Sequence, residues 1–312
     1  MITIYKTDTK TGELEKRERL SKGSWISLVN PTNEELDYIK EKFGIDRHMI
    51  TGCLHNKGLP RVGTEDDIKI FIVDIPFIRG SEKALNIHNV PLGILKVSED
   101  YLITICSYDL SFFQTFIKNT KLDTMKHSRF IIELLSQDVR LYQKYIDMIG
   151  EKIERSEDRM LKATKNEDLV GLLNLEKSLV YISKAINSNA LVLDKIISGT
   201  VINLYEEDQD ILTDAILENN QAKSSSSLYR DILNSMTTTV ATIISNNLNR
   251  IMKFLAGITI VLSIPTMVAS FVGMNVPLGF FEKNPFAFPF FIVISLVLSL
   301  IVAFILKKKD LL

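Results

Sequence analysis

The stretch "FLAGITIVLSIPTMVASFVGMNVPLGFF", Phe254–Phe281, contains no charged side chain. A second uncharged run extends from Asn284 to Leu306. A helix needs about 20 residues to cross roughly 30 Å of hydrocarbon, and both runs are longer than that. A core helix of a soluble protein would keep charges on its outer face, and these runs have none. Two transmembrane helices are therefore expected, at about residues 251–273 and 285–306. The first run ends in Gly273, Met274 and Asn275. An amide at the edge of an apolar segment is expensive unless something there uses it.

The flanks orient the spans. Arg250 and Lys253 precede the first, and Lys307, Lys308 and Lys309 follow the second. The intervening loop holds only Glu282 and Lys283. The positive-inside rule then places both flanks in the cytoplasm, with a multi-pass topology in the cell membrane and a short outer loop. The N-terminal "MITIYKTDTKTGELEKRERL" has no apolar signal-peptide region, so the first 250 residues are expected to stay inside. Cys53 and Cys106 suit a reducing compartment without a disulfide framework. With 37 Lys and Arg against 38 Asp and Glu, the charge balance gives no sign of a nucleic-acid partner, and none is expected.

Ahead of the spans, the sequence changes character near Ser111. "MITIYK", "IKIFIVDIPF", "PLGILKV" and "YLITICS" are β-branched runs bounded by turn residues, as in strands. "PTNEELDYIKEKFGI" has a helix-start signal, early acids and helical apolar spacing. From Thr200 to Ala256 there is neither Gly nor Pro, and apolar residues recur every three or four positions. That is the stripe of a helix bundle or coiled coil, and it leads directly into the first span. A helix from about Asp208 to Gly273 would be on the order of 100 Å long. "NNQAKSSSS", Asn219–Ser227, has poor helix propensity and is the place for a kink or a dividing loop. The fold class expected is an α+β membrane protein. It comprises a cytoplasmic α/β domain (1–125), a long-helix bundle and stalk (126–250) and a transmembrane domain (251–312).

One face of the first span gathers Asn249, Met252, Ala256, Thr259, Ser263, Thr266, Ser270 and Gly273. Small and hydroxylated residues in membrane helices serve close packing, or they face water in a pore. The stripe runs through the full depth of the span, which favours the pore. Two spans cannot enclose a water path, so a symmetric oligomer would be needed, and the stalk stripe offers a way to form one. Pro265 leaves the Val261 carbonyl without its helical donor and can bend the span.

Gly273-Met274-Asn275 at the outer end of the first of two C-terminal spans resembles the signature of the CorA family of magnesium transporters. The resemblance extends through "SNNLNRIMKFLAGITIVLSIPT", the uninterrupted stalk, the basic "LKKKDLL" tail and "LPRV" ahead of a strand. It implies a homopentameric channel in membrane lipid, with five first spans lining the pore. Gly273, Met274 and Asn275 would form the outer selectivity filter. Asn249, Met252 and Leu255 would form the inner constriction, with Ser263 and Thr266 above them. Mg2+ would be both the transported and the regulatory ion, with Co2+ and Ni2+ as alternative cargo and no organic cofactor. Asp214 falls where a cytoplasmic Mg2+ sensor residue would lie, whereas Glu206, Glu207, Asp208 and Asp210 read as a solvated acidic face. Two features depart from the family pattern: Val272, rather than an aromatic, precedes the motif, and Glu282 comes late and beside Lys283.

Alternative readings are a zinc-preferring or efflux relative on the same scaffold, or a membrane-tethered helical sensor that transports nothing. His48, Cys53 and His55 lack the fourth ligand and the pair spacing of a zinc site. There is no phosphate loop, dinucleotide fingerprint or nucleophile elbow, so the chain is not expected to be an enzyme.

Overall fold

The computed structural model describes residues 1–55, 58–65, 67–80, 85–160, 166–274, 279–281 and 286–309. They divide into two compact units, Met1–Met236 and Thr237–Leu312. In the first, seven strands form one sheet: β1 (Ile2–Thr7), β2 (Leu14–Arg17), β3 (Ser24–Val29), β4 (Arg61–Glu65), β5 (Ile68–Ile78), β6 (Ile87–Val97) and β7 (Tyr101–Cys106). Their order is β2-β1-β3-β7-β6-β5-β4. The β3–β7 pair is parallel and every other pair is antiparallel.

Strand alternation divides the interior into two layers. On one face Ile26, Leu28, Ile70, Ile72, Ile103 and Ile105 pack against α1 (Asn33–Phe43) and α2 (Arg47–Gly52). On the other, Trp25, Phe71, Val73, Leu92, Ile94 and Leu102 pack against α3 (Ser111–Asn119), α4 (His127–Met160), α5 (Asn166–Ile197) and the start of α6 (Glu206–Val272). The strands and the long helices thus share one core. Trp25 is fully buried, and its indole donates to Thr104 Oγ1 at 2.9 Å, so the polar end of this large side chain is satisfied.

Helix α1 begins where the sequence indicates. Thr32 and Glu35 form a reciprocal capping box, and Gly44 closes the helix at φ 66°, a left-handed conformation that glycine adopts without penalty. Strands β2, β3 and β4 lie outside the four runs that read as strands from their sequence. "SWISLV" of β3 is buried on both sides of the sheet, so it lacks polar alternation; β2 and β4 are short, largely exposed strands at the sheet margins.

Helix α6 runs unbroken through Asn219–Ser227 and through Pro265. Packing overrides propensity here. Leu212, Ala215, Asn219, Ala222, Ser226 and Leu233 form one buried line, and Ser226 shares a 2.6 Å hydroxyl hydrogen bond with Ser183 of α5. On its other flank α6 runs parallel to α4: Asp208 meets Arg129, Glu218 meets Arg140, and Tyr229 covers Gly150. A Cβ at Gly150 would collide with the Tyr229 ring, so the glycine is required by close approach.

The second unit contains the rest of α6, a 3-10 turn at Gly279–Phe281, and α7 (Ala287–Lys308). Phe281 stacks on Phe290 with ring centroids 5.2 Å apart and also touches Phe291, tying the turn to the first turns of α7.

Candidate functional site

The two apolar helices keep most of their side chains uncovered. On α6, Ile251, Phe254, Ile260, Leu262, Met267 and Phe271 are exposed; on α7, Phe288, Val293, Leu296, Leu300 and Phe304 are exposed. Soluble monomers do not present apolar surface on this scale, so lipid or further copies must cover it. Both helices are long and apolar enough to cross a membrane.

Within this unit the least exposed line of α6 runs through buried Gly257 and half-buried Val261, Ile264, Val268 and Val272, with Ile258 and Pro265 half-buried beside it. On α7 the buried positions are Ser295, Ser299 and Leu306. The two serines, four residues apart in an otherwise apolar helix, are a small-residue packing signal not singled out in the sequence. Their hydroxyls donate to Ile292 O and Ser295 O, both at 2.8 Å, which satisfies them without a partner helix.

The polar stripe lies elsewhere. At about 100° per residue, Met252, Ala256, Thr259, Ser263, Thr266 and Ser270 fall on the side of α6 opposite the least exposed line. All six are exposed, as are Asn249 and Leu255 at the margins of the stripe. Thr259 Oγ1 donates to Leu255 O at 2.8 Å, Ser263 Oγ to Ile260 O at 2.7 Å and Thr266 Oγ1 to Leu262 O at 3.4 Å. Each hydroxyl hydrogen therefore points back into the helix, and what the oxygen offers outward is lone pairs. The face is uncharged and accepting.

At the end of α6 the Gly273 amide donates to Ala269 O at 2.9 Å and the Met274 amide to Phe271 O at 3.4 Å, so the helix closes on the first two motif residues. Both are exposed. Asn275, Glu282 and Lys283 lie outside the described residues.

The acidic start of α6 differs from expectation. Asp208 is not solvated: it is buried and paired with Arg129 at 3.1 Å, and Arg129 also holds Glu133 at 3.1 Å. Asp214 is exposed. His48 and His55 are exposed, while Cys53 turns inward against Gly93 and donates to Met49 O at 3.2 Å. Burial pushes the Cys53 thiol up to about 12, so it is an inert core residue rather than a metal ligand. Cys106 is likewise buried and raised to about 11 by burial. Among the described residues no group of three or more His, Cys, Asp or Glu side chains could hold a metal ion.

A soluble α/β layer domain whose last helix continues as the first of two spans defines an integral membrane protein, with an uncharged accepting face along that span. The chain belongs to the CorA-like Mg2+ transporter family, whose family model matches residues 21–308. This is a family of divalent-cation transporters, not enzymes. The cobalt/magnesium transport protein CorA of Methanocaldococcus jannaschii is 25% identical over 294 residues, covering 91% of this chain and 90% of that protein. The complete structure of the CorA magnesium transporter from M. jannaschii superposes with a TM-score of 0.82 at 22% identity, over 98% of this chain and 96% of that one. The full-length CmaX protein gives 0.72 at 15% identity, with 98% and 97% covered. The cytoplasmic domain of ZntB from Vibrio parahaemolyticus gives 0.62 at 11% identity, with 78% and 98% covered. These structural likenesses establish a shared fold.

Proposed function

We propose that the chain assembles as a homopentamer in the cytoplasmic membrane and conducts Mg2+ through a pore lined by five α6 spans. Helix α7 lies outside that ring, and both termini face the cytoplasm. The observation that carries this reading is the opposition of faces on α6. The less exposed line from Gly257 to Val272 is one set, and the exposed stripe from Met252 to Ser270 is another. Since the stripe is not used for packing within the chain, it is free to face an axis shared with other copies.

The chemistry of the stripe suits a hydrated dication. Mg2+ gives up its water shell reluctantly, so a pore can pass it by accepting hydrogen bonds from that shell. Back-bonded hydroxyls of Thr259, Ser263 and Thr266 are such acceptors. Carboxylates in their place would hold the ion too tightly for rapid release. Gly273, Met274 and Asn275 act as the outer filter, where carbonyl and amide oxygens receive the hydrated ion. At the cytoplasmic end, rings of Met252 and Leu255 close the path by dewetting, with Asn249 beneath them. The membrane potential drives entry with about 2.3 kcal/mol per unit charge per 100 mV. Co2+, named with magnesium for the M. jannaschii relative, and Ni2+ are further cargo. Bound Mg2+ at Asp214, bridging adjacent soluble units, holds the pore shut.

Mg2+ entry into liposomes containing the purified protein tests the reading. The wild-type chain should conduct, and Asn275→Ala should reduce the flux by at least tenfold. Conduction that is indifferent to Asn275→Ala rejects the filter assignment. Absence of wild-type flux would instead favour a tethered helical scaffold.

A further inference from the structure

The core of the first unit contains a buried ionisable pair, Asp74 and Asp138. Asp138 of α4 is 1% exposed. Its Oδ2 accepts from Asn189 Nδ2 at 2.9 Å, but its buried Oδ1 has no hydrogen-bond partner. Asn189 cannot give more. Its amide donates to Asp74 O at 2.8 Å and accepts from Asp74 N at 3.0 Å, pairing with β5 as a neighbouring strand would. Tyr142 OH lies 2.9 Å from Asp74 O and 3.1 Å from Asn89 Oδ1, so its one hydrogen is already shared. The site therefore joins β5, α4 and α5 through one saturated amide and one half-satisfied carboxyl group.

The charges around this carboxyl group oppose its ionisation. The Asp74 carboxylate, also buried, repels a charge on Asp138; from α5, Lys184 acts on Asp74, and α4 contributes Tyr142, whose hydroxyl is neutral. A buried carboxylate with an orphaned oxygen beside a like charge is not sustained without a counter-charge. The described residues around it do not supply the third acidic or imidazole ligand that a metal would need. A proton is the remaining way to neutralise it.

We propose that Asp138 and Asp74 form a proton-binding site of the soluble unit, in which one proton held on Asp138 keeps α4 and α5 docked on β5 and its release loosens that seam. Burial first, and the Asp74 charge second, push Asp138 well above the usual carboxylate range, while the Asn189 hydrogen bond opposes them. The folded chain thus keeps a proton that the unfolded chain gives up above about pH 3.9. Stability from this site is complete below that value and declines as pH rises, by up to tenfold in the folding equilibrium per pH unit, until Asp138 ionises in the folded state.

The test uses full-length protein in detergent. Trp25 is the only tryptophan and is fully buried, so its fluorescence reports unfolding of this unit. Infrared spectra of wild type, taken just above the ordinary carboxylate titration range, should show a protonated-carboxyl stretch that Asp138→Asn lacks. The pH slope of stability above about pH 4 should be one proton shallower in Asp138→Asn. Should that variant not fold, Asp74→Asn serves: removing the opposing charge should end the slope at a lower pH. A wild-type spectrum without the carboxyl stretch, or one retained in Asp138→Asn, overturns the proposal. So does an unchanged slope in whichever variant folds, or a stretch abolished by adding Mg2+, which would reassign the site to a cation.

Discussion

Helix α6 is one continuous element whose two halves use the same kinds of residue in opposite ways. Between Leu212 and Leu233 its small and polar side chains, Ala215, Asn219, Ala222 and Ser226, are buried against the chain's own helices. Between Met252 and Ser270 an equivalent line of Ala, Ser and Thr is exposed. In the first half a hydroxyl finds another hydroxyl, as Ser226 does with Ser183. In the second, hydroxyls bond only their own backbone and present lone pairs outward. A line of small residues is therefore not a function in itself. What decides is whether the same chain already covers it.

The largest expected difference between the halves is in stability. Gly150→Val places side-chain atoms where the Tyr229 ring lies and should destabilise the soluble unit by about 1–3 kcal/mol, the usual cost of overpacking a close contact. Denaturant unfolding followed by Trp25 fluorescence measures it. An unchanged midpoint would mean that Tyr229 swings aside and that the α4–α6 contact is looser than the geometry indicates.

That contact also shows what the sequence could and could not convey. The two spans were legible because an uncharged run of that length has few other uses. Helix α1 was legible because Thr32, Glu35 and Gly44 are local signals whose effect does not depend on tertiary partners. Strand β3 was not, because burial on both faces removes the alternation that marks a strand. The helix through Asn219–Ser227 was obscured for the opposite reason: its weak local propensity is offset by tertiary packing, with Asn219, Ala222 and Ser226 buried and Ser226 bonded to Ser183 of α5. A run of acids at a helix start carries no local sign of which one turns inward, so Asp208 reads as solvated although Arg129 holds it in the interior. The Asp138 carboxyl group carried no warning, since a single acid within an amphipathic helix normally faces water.

A second difference concerns regulation. Asp214 is exposed although its neighbour Ala215 is buried, so Asp214→Ala should leave stability within about 0.5 kcal/mol of wild type. If Asp214 binds the regulatory ion between neighbouring copies, the same change should weaken inhibition by internal Mg2+ by about fivefold or more, the lower end of typical couplings between sites. Liposome flux at graded internal Mg2+ measures this. Unchanged inhibition removes Asp214 from the sensor and leaves the pore reading untouched.

The smallest and most discriminating effect comes from making one substitution in each half. Ser226→Ala removes a buried hydroxyl bonded to Ser183 and should lower stability by about 1 kcal/mol while flux is preserved. Ser263→Ala removes an exposed hydroxyl whose hydrogen serves only Ile260 O, and alanine has the higher helix propensity, so stability should not fall. Its cost should appear in conduction, as a reduction of about two- to fivefold, because one ring of acceptors for the ion's water shell is lost. The reciprocal outcome, stability lost at Ser263 and flux lost at Ser226, would mean that the exposed stripe is covered by helices of other copies and the path lies on another face. The crossed pair distinguishes a packing hydroxyl from a conducting one, which a single substitution in either half cannot do.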